Sequence, residues 1–216
     1  MRYISLHRAI LLLGPTAAGK TPLGDMISFR GIGGLGCVHF DFGSELRNIA
    51  FPGAGISAFT KDELNFVRGV LNDGLLLENE QFYIARKIFY TFIERERIKK
   101  ADIIILNGLP RHIGQAEQMT GIVNVGTVIE LSCSESDILC RIEKNTGEDR
   151  AERSDDNHDL VMKKIGLYRK RTASLMEFYR NRGADIFRIE VTHLSDPNSV
   201  YDEFLKQYHA EQTGIR

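Results

Sequence analysis

Eight residues near the amino terminus, Gly14-Pro15-Thr16-Ala17-Ala18-Gly19-Lys20-Thr21, constrain this chain more than any other segment. They meet G-x-x-x-x-G-K-[ST] at every fixed position. Ahead of them runs Ala9-Ile10-Leu11-Leu12-Leu13, which reads as a buried strand, and behind them Leu23, Met26 and Ile27 recur at helical spacing. A strand–loop–helix of this kind turns successive backbone N–H groups inward and adds the positive end of a helix dipole. The loop is therefore expected to cradle a nucleotide's phosphates. Lys20 would reach the outer phosphates, and the Thr21 hydroxyl would ligate Mg2+. Pro22 is tolerable because an N–H in the first helical turn has no intrahelical partner.

Apolar runs recur at Ala9–Leu13, Gly36–Phe40, Asp102–Leu106, Thr127–Leu131 and Asp185–Val191, with helical stretches between them. Alternation of this kind predicts an α/β fold with a parallel sheet covered on both faces. Ligands then bind beyond the carboxyl ends of the strands, so the segments that follow the strands carry the information. After the second strand come Asp41, Phe42, Gly43 and, on the first turns of a helix, Arg47, whose guanidinium offers a rigid fork for phosphate. Taken alone, Arg47 reads as a solvated helix residue. Thr60 to Leu64 has the form of a capped helix start, and Gly74 that of a helix end. The third strand runs into Asn107-Gly108-Leu109-Pro110-Arg111, a tight turn that throws Arg111 toward the strand ends, with Gln115 at a helix opening.

The segment from Arg141 to Asp156 is too rich in charge to form core and reads as a surface loop; it carries Arg141, Arg150 and Arg153. Beyond Asp155 and Asp156 a long helix is predicted, because Val161, Ile165, Tyr168, Thr172, Leu175 and Tyr179 recur every three or four residues. Gly183 stops it, and a terminal helix holding Val200, Phe204 and Leu205 precedes a frayed tail from His209.

Together these segments resemble adenylate kinase and its relatives, the nucleoside monophosphate kinases. Gly43-Ser44-Glu45-Leu46-Arg47 is similar to the family's T-G-D-L-L-R. Asn107 to Arg111 with Gln115 is similar to D-G-F-P-R-T-x-x-Q. Arg153-Ser154-Asp155-Asp156-Asn157, with Tyr168 and Thr172 beyond it, is similar to G-R-x-D-D-N and its helix. The resemblance implies a single, three-layer P-loop NTPase-type domain over residues 1–216 with a five-stranded parallel sheet. It also implies an inserted helical acceptor-binding segment at 41–94 and a short lid loop at 141–154. It implies ATP and Mg2+ as cofactors, with Gly14 to Thr21 on the ATP phosphates. Lys20, Arg111, Arg141, Arg150 and Arg153 would act on the transferring group. Asp41, Phe42, Gly43, Arg47, Gly108, Arg111, Gln115, Asp155, Asp156 and Lys164 would face the acceptor.

Four positions depart from the family pattern. Phe42 stands where Thr is usual, Asn107 replaces an Asp that helps hold the Mg2+ shell, Lys164 replaces an Arg, and Asn145 takes the place of a lid Arg. Asp41, ending the neighbouring strand, is open to three roles: the lost carboxylate, a substrate hydroxyl ligand, or a helix cap. Two further readings stay open on the residues alone. One is a small-molecule kinase with a non-nucleotide acceptor; the other is a nucleotide-binding regulatory module with weak or no turnover.

The formal net charge of -1 offers no global pull toward nucleic acid or a membrane surface, and no apolar run approaches a membrane span. The short apolar run near the start lacks a signal-peptide cleavage pattern. Cys37, Cys133 and Cys140 cannot all pair and lack metal-ligand spacing, so reduced thiols and a cytoplasmic location are expected. The expected partners are small nucleotides, with neither membrane nor nucleic acid, and a monomer is expected with a dimer left open.

Overall fold

The computed structural model describes residues 6–50, 59–147, 149 and 158–213. Five strands form one all-parallel sheet: β1 (His7–Leu13), β2 (Cys37–Asp41), β3 (Ile103–Asn107), β4 (Val123–Ser132) and β5 (Asp185–Glu190), in the order β2-β3-β1-β4-β5. All five predicted strands are present. β4 starts earlier than its apolar run, because Gly126 is bulged out between the pairs Ala9–Val125 and Ile10–Thr127.

The sheet is buried on both sides, which is why β1 reads as an unbroken apolar run. Its residues nonetheless alternate between two cores. Ala9, Leu11 and Leu13 join the core built with α2 (Phe42–Ala50), α3 (Lys61–Asp73), α4 (Phe82–Arg95), α5 (Ile113–Met119) and α8 (Leu175–Arg180). Ile10 and Leu12 join the opposite core, built with α1 (Lys20–Arg30) and α9 (Pro197–Thr213). α9 extends through Thr213, past the point where the sequence reads as frayed.

Between β2 and β3 lie α2, α3 and α4. Thr60 and Glu63 close the expected capping box on α3, and Gly74 ends it in the left-handed conformation. The long helix predicted from Val161 to Tyr179 is broken in two. α7 (His158–Leu167) passes into a π-turn, Tyr168–Thr172, before α8 begins. The extra residue of a π-turn rotates the chain. Val161, Ile165, Leu175 and Tyr179 are buried, whereas Tyr168 and Thr172 stay half-exposed. No helix among the described residues is long and apolar enough to cross a membrane.

Candidate active site

The Gly14–Thr21 loop joins β1 to α1 at the carboxyl end of the sheet's middle strand. Two of its residues are left-handed: Gly19, with φ 93°, and Ala17, with φ 59°. The first is easy for glycine; the second is strained for a residue with a Cβ. Ala17 is held there from behind, where its carbonyl accepts from Arg141 Nε at 2.9 Å. A Cβ on Gly19 would lie 3.2 Å from Arg141 Nη2, so glycine also lets the guanidinium come up close beneath the loop. In front, Lys20 Nζ donates to the carbonyls of Gly14 and Pro15 at 2.7 and 2.6 Å.

One cleft opens off the carboxyl ends of β1, β2 and β3. It is lined by loop residues including Gly14, Thr16, Ala17, Gly19, Lys20 and Thr21, together with Gly43 and Arg47 from the β2–α2 junction, Gly108 and Arg111 from the turn after β3, and Lys164 and Thr172 from α7 and the π-turn. Lys20 of the loop, Arg47 and Arg111 therefore share a single opening. Pro15 and Ala18 belong to the same loop behind this surface.

At its floor Asp41 and Asn107 end two paired strands in register. Asp41 Oδ2 accepts from Thr21 Oγ1 at 2.6 Å and from Asn107 Nδ2 at 2.8 Å. Asp41 Oδ1 accepts from Ser44 N at 2.9 Å, which caps α2. Two of the three roles open to Asp41 are thus compatible in one carboxylate. An oxygen-rich floor of hydroxyl and carboxylate suits Mg2+, which keeps waters and phosphate oxygens as its remaining ligands. Among the described residues there is no cluster of three side chains able to cage a metal alone.

Arg111 is fixed on every side. Its Nε donates to Gly108 O at 2.8 Å, its N–H donates to Gln115 Oε1 at 2.7 Å, and its carbonyl accepts from Thr172 Oγ1 at 2.7 Å. The π-turn thus delivers Thr172 to the Arg111 backbone.

Three residues expected at the site are placed elsewhere. Phe42 is 2% exposed and packs toward Phe40 in the core, as an apolar ring at a helix start beside an apolar strand must. Gln115 is 1% exposed, and its amide is committed to Arg111 N and, at 2.8 Å, to Leu77 O. Arg141 is 3% exposed on α6 (Glu135–Lys144) and binds three carbonyls: Ala17, and at 2.8 Å each Thr192 and Ser195 in the turn after β5. It braces the loop from below and does not line the cleft. Asn145 caps α6 in the left-handed conformation, which asparagine tolerates well. Arg150, Arg153, Asp155 and Asp156 lie outside the described residues.

The structure adds lining residues that the sequence did not single out. Leu46, Val70, Leu71, Leu75 and Leu76 give the cleft an apolar wall, and Asp149 and Tyr168 also face it. The leucines and valine look like core in sequence, and only the end of α3 at Gly74 hints that the following leucines leave it. Burial, with Glu130 nearby, pushes the Tyr168 phenol up to about 12. Burial likewise pushes the Cys133 thiol, behind the loop, up to about 11, so it stays protonated and is no nucleophile.

No family model matches the chain. Curated relatives do. Adenylate kinase of Francisella tularensis subsp. novicida is 26% identical over 201 residues, covering 80% of this chain and 84% of the relative. Adenylate kinase of Francisella philomiragia subsp. philomiragia is 27% identical over 201 residues with the same coverage. The adenylate kinase resemblance carried by the loop and strand-end motifs is thus borne out across most of the chain, at modest identity.

Proposed function

We propose that this chain is a nucleoside monophosphate kinase-like phosphotransferase: ATP and a nucleoside monophosphate give ADP and a nucleoside diphosphate. One observation carries the reading: Lys20 and Thr21 of the loop, and Arg47 and Arg111 from two other strand ends, line one and the same cleft. Phosphoryl transfer asks little covalent chemistry of a protein; alignment and charge neutralisation lower the barrier. The Gly14–Thr21 amides and Lys20 hold the donor's phosphates. Arg47 and Arg111 grip an acceptor that already carries phosphate, which suits a monophosphate better than a neutral sugar. Mg2+, when bound with ATP, supplies charge neutralisation at the phosphate oxygens, and Thr21 with Asp41 would hold it. Residues 41–94 serve as the acceptor-binding segment, and of the 141–154 lid segment the part beyond α6, with Arg150 and Arg153, closes over the site and excludes water. Arg141 supports the donor loop from outside the cleft.

A phosphorylated acceptor without a nucleobase is the second reading. Its support is the apolar wall and the loss of two polar readers, Phe42 being apolar and buried and the Gln115 amide being committed to backbone. A coupled ADP-release assay across the common monophosphates separates the two. Turnover with one or more nucleotides is expected, and its absence with all of them removes the leading reading. Lys20→Ala is expected to abolish transfer; an active variant would mean the donor site is elsewhere.

A further inference from the structure

Asn107 places a neutral amide at the end of β3, beside the loop threonine. The neighbouring strand carries the charge. Asp41 and Asn107 are register partners on β2 and β3, and both side chains converge on Thr21 Oγ1, Asp41 at 2.6 Å and the Asn107 amide at 3.0 Å. The hydrogen bonds set the direction of the hydroxyl. Thr21 gives its one proton to Asp41 and takes the Asn107 N–H on one lone pair, leaving the second lone pair for the cleft. The Asn107 amide also donates to Asp41 Oδ2 at 2.8 Å, which fixes the carboxylate's orientation. An aspartate at 107 could not do this: it would set two like charges against each other. The second oxygen of Asp41 caps α2, the helix that carries Arg47 to the acceptor end.

We propose that Asp41, held by the Asn107 amide, is the carboxylate that serves the Mg2+ shell in this chain, and that the same carboxylate joins the metal side of the cleft to the helix bearing Arg47. The assignment rests on the phosphotransferase reading and goes beyond it by naming the carboxylate–amide pair that would serve the metal from two adjacent strands.

The test measures binding apart from turnover. Mn2+ affinity for the ATP-bound protein is followed by electron paramagnetic resonance in wild type, Asp41→Asn, Asn107→Asp and the double exchange Asp41→Asn/Asn107→Asp. Asparagine still caps a helix, so Asp41→Asn removes the charge and keeps the start of α2. Asp41→Asn is expected to weaken Mn2+ binding about 10- to 100-fold, as losses around a metal usually do, with metal-free ATP affinity held. The double exchange returns one carboxylate and one amide to the pair and is expected to recover most of the loss. Asn107→Asp alone brings no gain. Wild-type Mn2+ affinity in Asp41→Asn, or no recovery in the double exchange when it melts like wild type, overturns the assignment while leaving the phosphotransferase reading standing. If the wild type binds no ATP with or without metal, both fall together.

Discussion

Replacing Arg141 by alanine distinguishes a brace from a catalytic arginine. The side chain is almost fully buried and donates to three carbonyls, one in the phosphate-binding loop and two in the turn after β5. A hydrogen bond from a charged donor is worth roughly 1.5–3 kcal/mol, so the three sum to about 4–9 kcal/mol before offsets. The Thr192 and Ser195 carbonyls belong to half-exposed residues and can recover water, and burying the guanidinium itself costs part of the gain. A net loss of about 2–4 kcal/mol remains, which for a chain this long lowers Tm by roughly 5–15 °C. The strained Ala17 should relax once its carbonyl is released, so ATP affinity falls with stability. Arg141→Lys keeps the charge but lacks the planar fork that reaches both sides, and lands in between. Differential scanning fluorimetry and calorimetric ATP titration read both effects. An Arg141→Ala protein that melts like wild type, yet has lost turnover, would refute the bracing role and return Arg141 to the reacting groups.

Two other substitutions follow from the same reading. Gln115→Ala strips the amide from Leu77 O and Arg111 N; a loss of about 1–3 kcal/mol is expected, with KM for the acceptor raised more than KM for ATP. Equal changes in both constants would show that Gln115 does not position Arg111. Cys133, its thiol raised to about 11 by burial, should resist alkylation at pH 8 in the native protein and react once it is unfolded. Peptide mass mapping that finds native Cys133 modified as fast as free cysteine would contradict the burial account.

How legible the fold was depended on what each pattern measures. A strand buried on both faces is a bare apolar run, so β1 and β3 announce themselves. β4 hides its first residues because Gly126 is bulged and Asn124 faces out. The repeat from Val161 to Tyr179 keeps its three-or-four spacing straight through the π-turn, so it cannot reveal that Tyr168 and Thr172 have rotated into the cleft. At the site, Lys20 and Thr21 were legible from the glycine loop and Arg111 from the turn after a strand end, whereas Arg47 and Lys164, both on helices, came only from the family resemblance. Phe42, Gln115 and Arg141 were not, because a motif gives a residue's place along the backbone and not the partner its side chain finds. Gln115 sits where the motif puts it, but its amide nitrogen is taken by the Leu77 carbonyl at 2.8 Å.

The pair at the cleft floor shows why such transfer fails where two positions act together. Read along the chain, Asn107 is a lost charge, and Asp41, 66 residues earlier, is open to three roles, of which supplying that charge is only one. Parallel register puts them side by side, roughly 4.8 Å apart across the strands. What a cation beside Thr21 experiences is the position of a charge in space, to which the identity of the strand supplying it is indifferent. Both side chains reach the same hydroxyl, so moving the carboxylate from one to the other shifts its charge by less than one strand spacing while keeping one carboxylate and one amide in place. The physical unit at this position is therefore the pair, and a substitution in either member has a meaning only when the other is read with it.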